Sequence, residues 1–366
     1  MPARCKIIDA QPLPKIMAPM KMKLFLRLGL LLGMLASFAC AASQGNVFPL
    51  SRGYQSADDM FARLNRIMEK NRALVRLNVI GFSGSENLPI YCLDIGRPHA
   101  PKNVLLIGQH HGNEVLGVEV VLDWAQYLAT KNRSDKKIDA ILDNWRFWIV
   151  PTLNPEGHRV TSAGLSPNQR KNTRDTNENG RLDLAEDGVD LNRNYPVFWD
   201  QFPVYAPSHQ NYKGSEPASE REILAITLLA HKHKFDHAIF YHSSPAGTLN
   251  EKVFLPALDA ENPRQQELYE QLKDFAGQYA AAVPKDFERG SYELSPKPGT
   301  RMGTARNYFF HIHDTQAFLV EIGGISPEGI SVVHPGKRQR DRVVKKHIKA
   351  LRQVFYANIN QPEQRF

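Results

Sequence analysis

Hydrophobic positions along the chain recur with two different periods, which predict helices and strands. Between residues 55 and 70 the apolar positions fall three or four residues apart, at Met60, Leu64 and Ile67, and Ser56 precedes them as a candidate N-cap. This pattern predicts an amphipathic helix. Further predicted helices occupy residues 114–130, 220–233 and 337–356.

Short, continuous apolar runs predict strands that are buried on both faces of a sheet. These runs occupy residues 103–108, 145–151, 237–242 and 317–321. Segments 74–81 and 88–96 predict two further strands joined by a Gly-Ser turn, and residues 161–196 are predicted to be a long polar loop. The alternation predicts an α/β three-layer sandwich, in which a mixed, mostly parallel central sheet is flanked by helices, as one domain over residues 45–360.

Polar side chains follow the C-terminal ends of four predicted strands, at His111, Asn154, His242 and Glu321. In open α/β sheets that edge is where binding sites form, so we expect these side chains to lie near one another.

The first 41 residues have the pattern of a secretory signal peptide. Lys21 and Lys23 precede an apolar run that ends in small residues near Ala41. The alternative is a membrane anchor, but Arg27 interrupts the run and leaves it short of the ~20 residues that a span needs. We therefore expect an exported protein, periplasmic or secreted, with no stable membrane span after cleavage.

Removal of this leader changes the interpretation of charge and of cysteine content. The 366-residue chain has a net charge of +8, and the leader holds six basic residues and one acidic residue, so the mature chain is near +3. We infer no nucleic-acid partner from so small an excess. Only Cys92 remains of the three cysteines, which excludes an internal disulfide and a thiolate metal site and favours a small buried side chain.

Candidate chemistry begins with the stretch GQHHGNE, residues 108–114. His111 and Glu114 are three residues apart at a predicted strand-to-helix turn, where both can reach one metal ion, whereas His110 has only Asn113 at that spacing. A catalytic zinc site needs about three protein ligands and one open position. Taken alone the pair is also compatible with a helix-capping role.

Six further motifs, in order, resemble those of the zinc metallocarboxypeptidases, the carboxypeptidase A-like family. They are LNPEGH (153–158), QRKN (169–172), DGVDLNRNYP (187–196), YKGSEPASERE (212–222), FYHSS (240–244) and FLVEIGG (318–324). The match extends over roughly residues 54–355.

The resemblance implies a role for individual residues around a Zn²⁺ cofactor. His111, Glu114 and His242 match the family's zinc ligands, and Glu321 matches the general base that accepts a proton from the attacking water.

The resemblance also implies contacts with a peptide substrate that has a free C-terminal carboxylate. Arg170 matches the arginine that stabilises the oxyanion, and Asn192 with Arg193 matches the pair that holds the terminal carboxylate.

The sequence departs from the family's pattern around the pocket for the terminal side chain. A mobile tyrosine is expected near Gly299 and Thr300, and neither position supplies one. Arg306 is fifteen residues before Glu321, where the family's pocket floor lies. An arginine there predicts a preference for acidic C-terminal side chains, unless a small gap moves Thr304 or Ala305 to the floor.

A second metal-binding pattern lies in the polar loop, at DTNENGRLDLAE, residues 175–186. It matches the calcium loop of the EF-hand, with Gly180 at the sharp turn. The predicted Ca²⁺ ligands are Asp175, Asn177, Asn179, Arg181 through its carbonyl, Asp183 and Glu186. No flanking helices are evident, so we expect a lone calcium-clamped loop that orders the arginines on either side.

The sequence favours an exported, zinc-dependent metallocarboxypeptidase. One alternative is a murein-peptide amidase or D,L-carboxypeptidase that acts on peptidoglycan stem peptides. An alternative of another class is an inactive peptide-binding module, whose signature would be a lost ligand or base; His111, Glu114, His242 and Glu321 are all present. The oligomeric state does not follow from the sequence.

Overall fold

A computed structural model describes residues 50, 54–245, 249–328 and 332–360 of the chain. These residues belong to one compact unit. The predicted signal peptide, residues 1–41, lies outside the described residues. Among the described helices, none is long and apolar enough to cross a bilayer.

Eight α-helices and eight strands alternate along the described chain. The helices are α1 (Ala57–Lys70), α2 (Leu116–Lys131), α3 (Lys136–Asn144), α4 (Pro155–Ser162), α5 (Arg221–Lys232), α6 (Pro263–Ala282), α7 (Ala305–His313) and α8 (Lys337–Ala357). The strands are β1 (Val75–Phe82), β2 (Pro89–Ile95), β3 (Lys102–Ile107), β4 (Trp145–Val150), β5 (His237–His242), β6 (Lys252–Phe254), β7 (Glu293–Leu294) and β8 (Gln316–Glu321).

All eight strands form one sheet in the order β1-β2-β4-β3-β5-β8-β6-β7. The four central strands, β4, β3, β5 and β8, are parallel to one another. On the outer parts of the sheet, β1 and β2 pair antiparallel with their neighbours, β6 pairs antiparallel with β8, and β7 pairs parallel with β6. The predicted mixed sheet of an α/β sandwich is therefore confirmed. Because β3, β4, β5 and β8 run in the same direction, their C-terminal ends lie along one edge of the sheet.

Helices cover both faces of the sheet, which explains the continuous apolar runs in the central strands. Successive side chains of a strand point to opposite faces. In β5, the Phe240 ring contacts Phe309 of α7, with ring centroids 5.5 Å apart, while the Tyr241 hydroxyl lies 3.1 Å from that of Tyr279 on α6. Cys92 is fully buried in β2, as predicted.

Two local sequence features fix the ends of elements near the site. The Ser56 hydroxyl accepts a hydrogen bond from the backbone N–H of Asp59, which confirms the predicted cap of α1. A Cβ atom on Gly117 would lie 2.0 Å from the carbonyl oxygen of Gly108. Only glycine therefore lets α2 approach the end of β3 this closely.

The structure corrects part of the predicted secondary structure. The region predicted as a loop from residue 161 begins inside α4, whose N-cap is Asn154, and it contains a 3-10 turn at Leu191–Arg193. The sequence patterns did not predict helices α3, α4, α6 and α7 or the short strands β6 and β7.

Candidate metal centre and active site

Three buried side chains converge at the C-terminal edge of the sheet. His111 Nδ1 lies 2.8 Å from one carboxylate oxygen of Glu114 and 3.0 Å from His242 Nδ1, and His242 Nδ1 lies 2.8 Å from the other oxygen. Among the described residues, this is the only group of three or more His, Cys, Asp or Glu side chains close enough to share a metal ion. The two imidazole centroids are 4.6 Å apart, within the reach of one ion with bonds near 2 Å.

Different secondary-structure elements deliver these three side chains. His111 lies in the turn that follows β3, Glu114 lies two residues before α2 begins, and His242 is the last residue of β5. Strands β3 and β5 are neighbours, so their ends are held one strand spacing apart. The geometry therefore depends on the sheet rather than on a flexible loop.

The remaining imidazole nitrogens face side chains that fix the orientation of the rings. His111 Nε2 lies 3.1 Å from an oxygen of Asp190, and His242 Nε2 lies 3.3 Å from the amide nitrogen of Asn192. A carboxylate on the outer nitrogen of a metal-binding histidine fixes its tautomer and increases its basicity. Asp190 was not singled out from the sequence, although it lies within the DGVDLNRNYP motif.

His110 is also fully buried, but it faces away from the convergent atoms. Its Nε2 lies 2.9 Å from the hydroxyl of Tyr195, and its ring stacks on that of His242 at 5.4 Å. Burial, with the nearby His242 and His111, holds its pKa well below the usual range, so this ring is neutral. His111, not His110, thus works with Glu114.

The electrostatics of the cluster suit a divalent cation. Burial would raise the pKa of the Glu114 carboxyl, but the charges of His111 and His242 hold it below its usual range. Burial lowers the pKa of His242 to about 4, which favours the neutral imidazole that a metal ion requires. Two imidazoles and a carboxylate form the donor set of catalytic zinc sites. A Zn²⁺ ion bound here would act as a Lewis acid and lower the pKa of a bound water.

Glu321 lies beside the cluster because β8 pairs with β5 in parallel and places it opposite His242. Its Oε2 is buried without a hydrogen-bond partner among the described residues. Burial, followed by the charge of Glu114, raises the pKa of Glu321 to about 8, and nearby arginines oppose the rise. A carboxyl group poised in this way can exchange a proton near neutral pH.

Arg170 also lies against the cluster. Its Nε and Nη2 donate to one oxygen of Asp190 at 3.1 and 2.8 Å, while Nη1 lies 3.5 Å from Glu114 and 3.1 Å from His111 Nδ1. The two oxygens of Asp190 therefore hold His111 and Arg170 at the same time. A guanidinium placed here can stabilise a negative charge that develops beside the metal.

Two further guanidinium groups border the site with unused hydrogen-bonding capacity. The Nε atoms of Arg193 and Arg306 are buried and have no hydrogen-bond partner among the described residues. Arg193 Nη1 donates to the Asn192 carbonyl at 2.8 Å, and Asn192 Oδ1 accepts from Ala305 N–H at 3.0 Å. Burial, with the charge of Arg193, lowers the pKa of Arg306 to about 10. Both groups remain cationic at neutral pH and can receive carboxylates.

Comparisons with known proteins agree with this site. A sequence profile described as "Zinc carboxypeptidase" matches residues 60–326, most of the chain. The chain belongs to the zinc carboxypeptidase family.

Relatives in this family come from several organisms. The chain is 30% identical to mast cell carboxypeptidase A of Homo sapiens over 195 residues, 52% of this chain and 45% of that protein. It is 26% identical to carboxypeptidase E of Caenorhabditis elegans over 267 residues, 70% of this chain and 49% of that protein. The chain therefore spans about half the length of the curated relatives that it matches.

Solved zinc carboxypeptidase structures share the fold. Carboxypeptidase A from Helicoverpa armigera superposes with a TM-score of 0.69 at 16% identity, covering 85% of this chain and 75% of that one. A metallo-carboxypeptidase from Burkholderia cenocepacia gives 0.56 at 18% identity, covering 84% and 69%.

The predicted calcium loop is exposed and lies away from the zinc ligands. Its acidic and amide side chains accept hydrogen bonds from the loop backbone: Asp175 from the N–H groups of Asn179 and Gly180, and Asn179 from that of Arg181. Gly180 has a φ of +76° at the sharp turn. The structure does not bring the carboxylates of Asp183 and Glu186 close enough to that of Asp175 to form a metal-ligand cluster.

Proposed function

We propose that the protein is an exported, zinc-dependent metallocarboxypeptidase that hydrolyses the C-terminal residue of peptides. One observation carries the proposal: His111, Glu114 and His242 converge at the strand ends, and Glu321 and Arg170 lie beside them. Arg193, with an unused Nε, would hold the terminal carboxylate through parallel hydrogen bonds, and Asn192 would orient it.

In this reaction, the chain's own groups move the proton and stabilise the charge. Glu321 accepts a proton from the attacking water and later donates it to the leaving amine. Arg170 stabilises the oxyanion that forms from the scissile carbonyl, and removal of one such donor typically costs 10²–10³ in rate. Zinc is required throughout as the Lewis acid.

The preferred terminal residue is acidic in this proposal. Arg306 supplies a second guanidinium near Arg193, and Glu321 lies close enough to influence both of their pKa values. A substrate that ends in glutamate carries two carboxylates for these two cations. The second carboxylate of a diaminopimelate residue meets the same requirement, which keeps peptidoglycan stem peptides as the second candidate substrate.

A panel of peptides ending in Glu, Lys, Phe or diaminopimelate tests this proposal, with and without a zinc chelator. We expect Glu321→Gln to keep its zinc content and lose at least 10³-fold in kcat. Arg306→Ala should lower kcat/KM for Glu-ending peptides by roughly 30-fold or more, the cost of removing one partner of a buried charge pair. Arg342→Ala, at an exposed position on α8, is the matched control. Zinc-loaded protein that hydrolyses none of these peptides but binds them would support the inactive-module alternative.

We also propose that the 175–186 loop binds Ca²⁺ and orders the segment between Arg170 and Asn192. Support comes from the ligand spacing and from the positive φ of Gly180. Addition of Ca²⁺ to zinc-loaded protein should raise Tm, and Asp175→Ala should abolish the effect. An unchanged Tm on addition of Ca²⁺ would refute the proposed calcium site and leave the proposed peptidase activity untouched.

Export is proposed from the leader pattern in residues 1–41. N-terminal sequencing of the protein recovered from the periplasm or medium should begin near Ala42. A protein retained in the cell with an intact leader would contradict it.

A further inference from the structure

Asn307, in the first turns of α7, is fully buried directly after Arg306. Its side-chain amide makes three hydrogen bonds, all to backbone. Oδ1 accepts from Ala257 N–H at 2.8 Å, and Nδ2 donates to the carbonyls of Thr300 at 2.9 Å and Met302 at 2.8 Å. One side chain thereby joins two separate segments of chain.

These two segments form the surroundings of the Arg306 guanidinium. The first follows β6, where the ring of Phe254 lies 5.9 Å from the Arg306 guanidinium carbon. The second is the stretch 299–302, which also bonds directly to the first through Gly299 N–H and the Pro256 carbonyl at 2.8 Å. The Arg306 guanidinium is therefore bordered by the end of β6 and by the 299–302 loop, and Asn307 ties this loop and the segment after β6 to α7.

Gly299 shows how closely the loops approach. A Cβ atom there would lie 2.6 Å from the Leu255 carbonyl oxygen and 3.2 Å from Arg306 Nη2. In this arrangement no side chain fits at position 299, near which the family's pattern predicts a tyrosine, without moving the backbone. The arrangement is compatible with a fixed wall beside Arg306.

We propose that Asn307 is a positioning residue that keeps the Arg306 pocket preformed and so sets its selectivity for the terminal side chain. This inference rests on the proposed carboxypeptidase function. A guanidinium discriminates strongly only when it is held within about 0.5 Å of the productive geometry. A preformed pocket also avoids the entropy of ordering a loop on binding.

The test compares Asn307→Ala and Asn307→Asp with the wild-type zinc enzyme. Asn307→Asp keeps the acceptor for Ala257, replaces both donors by an acceptor and adds a negative charge near Arg306. Its comparison with the uncharged Asn307→Ala separates loss of the tie to the 299–302 loop from the effect of charge. The matched control is Asn358→Ala, since Asn358 is another buried amide with two donor bonds, to Gln278 at 2.9 Å and Val354 at 2.8 Å, at the end of α8.

We expect the Asn307 variants to lower the kcat/KM ratio of Glu-ending over Phe-ending peptides about tenfold. The change should come from KM for the Glu-ending peptide, with kcat for the Phe-ending peptide altered less than about twofold. Asn358→Ala should lower Tm and leave the ratio unchanged. An equal loss on both peptides would mean that Asn307 is only structural, and would overturn the inference.

Two further measurements keep the outcomes distinct. If the wild type prefers another terminal residue, the proposed acidic preference is wrong. The Asn307 variants should still lower the ratio of kcat/KM for the preferred peptide to kcat/KM for the other peptides. If the variants do not fold, hydrogen exchange on the wild type tests whether the 299–302 loop is fixed. The Gly299 amide should then exchange on the order of 100-fold more slowly than in an unstructured peptide. Exchange at the rate of an unstructured peptide would overturn the fixed loop.

Discussion

Glu222, the second residue of α5, is buried far from the zinc ligands without an evident partner. Its side chain is fully buried, and neither carboxylate oxygen has a hydrogen-bond partner among the described residues. Burial, followed by the charge of Glu220, raises the pKa of Glu222 to about 8. The folded protein therefore holds a proton on Glu222 that the unfolded chain releases near its ordinary pKa of about 4.3.

This difference makes stability depend on pH with a known sign. When the pKa of an acid is higher in the folded protein than in the unfolded chain, the free energy of unfolding begins to fall as the pH rises through the unfolded-state pKa. The fall is complete once the pH exceeds the folded-state pKa. Each pH unit within that window costs about 1.4 kcal/mol. Between pH 5 and pH 8 the wild type should lose roughly 4 kcal/mol through this group alone.

The variant Glu222→Gln keeps the shape of the side chain and removes the titration. Urea unfolding at pH 5, 6, 7 and 8, followed by tryptophan fluorescence in the presence of a chelator, measures the free energy of unfolding without a contribution from metal release. We expect the advantage of Glu222→Gln over wild type to grow by roughly 4 kcal/mol from pH 5 to pH 8. Glu267→Gln, at an exposed position on α6, is the matched control and should follow wild type. Parallel curves for wild type and Glu222→Gln would refute the reasoning.

Three further substitutions test other parts of the structure. Asp190→Asn should weaken zinc binding 10–100-fold in a chelator competition, because His111 loses its carboxylate partner; an unchanged zinc affinity would contradict that role. Gly117→Ala should cost several kcal/mol in urea unfolding or prevent folding, since its Cβ meets the Gly108 carbonyl. Gly277→Ala on α6, where the nearest atom is 3.8 Å away, should instead raise stability by up to 1 kcal/mol. If both glycine variants changed the free energy of unfolding in the same direction, the distance from the new Cβ to neighbouring atoms would not determine the effect of the substitution.

The central sheet could be predicted because its strands are covered on both faces. Such strands read as unbroken apolar runs, and β3, β4, β5 and β8 all lie within one residue of the predicted bounds at each end. The strands β6 and β7 hold only three and two residues, which is too short for a period to appear. Helix α7 was missed because ARNYFFHIH is rich in aromatic residues, which favour strands as much as helices.

The site could be predicted only as far as local spacing and family motifs reach. His111 and Glu114 are close in sequence, whereas the meeting of His242 with them depends on the pairing of β3 and β5. Asn307 and Glu222 carry no motif, and their environments arise from segments that are distant in sequence. The contacts that define them exist only in the folded chain.

The sheet separates two properties of this site that evolution can alter independently. His111, His242 and Glu321 follow or end three adjacent parallel strands, so the hydrogen-bonded backbone fixes their spacing. The surroundings of Arg306 are the end of β6 and the connections that follow β6 and precede α7. Insertions or exchanges in those connections can therefore produce enzymes with new substrate ranges while the hydrolytic machinery stays at the same coordinates.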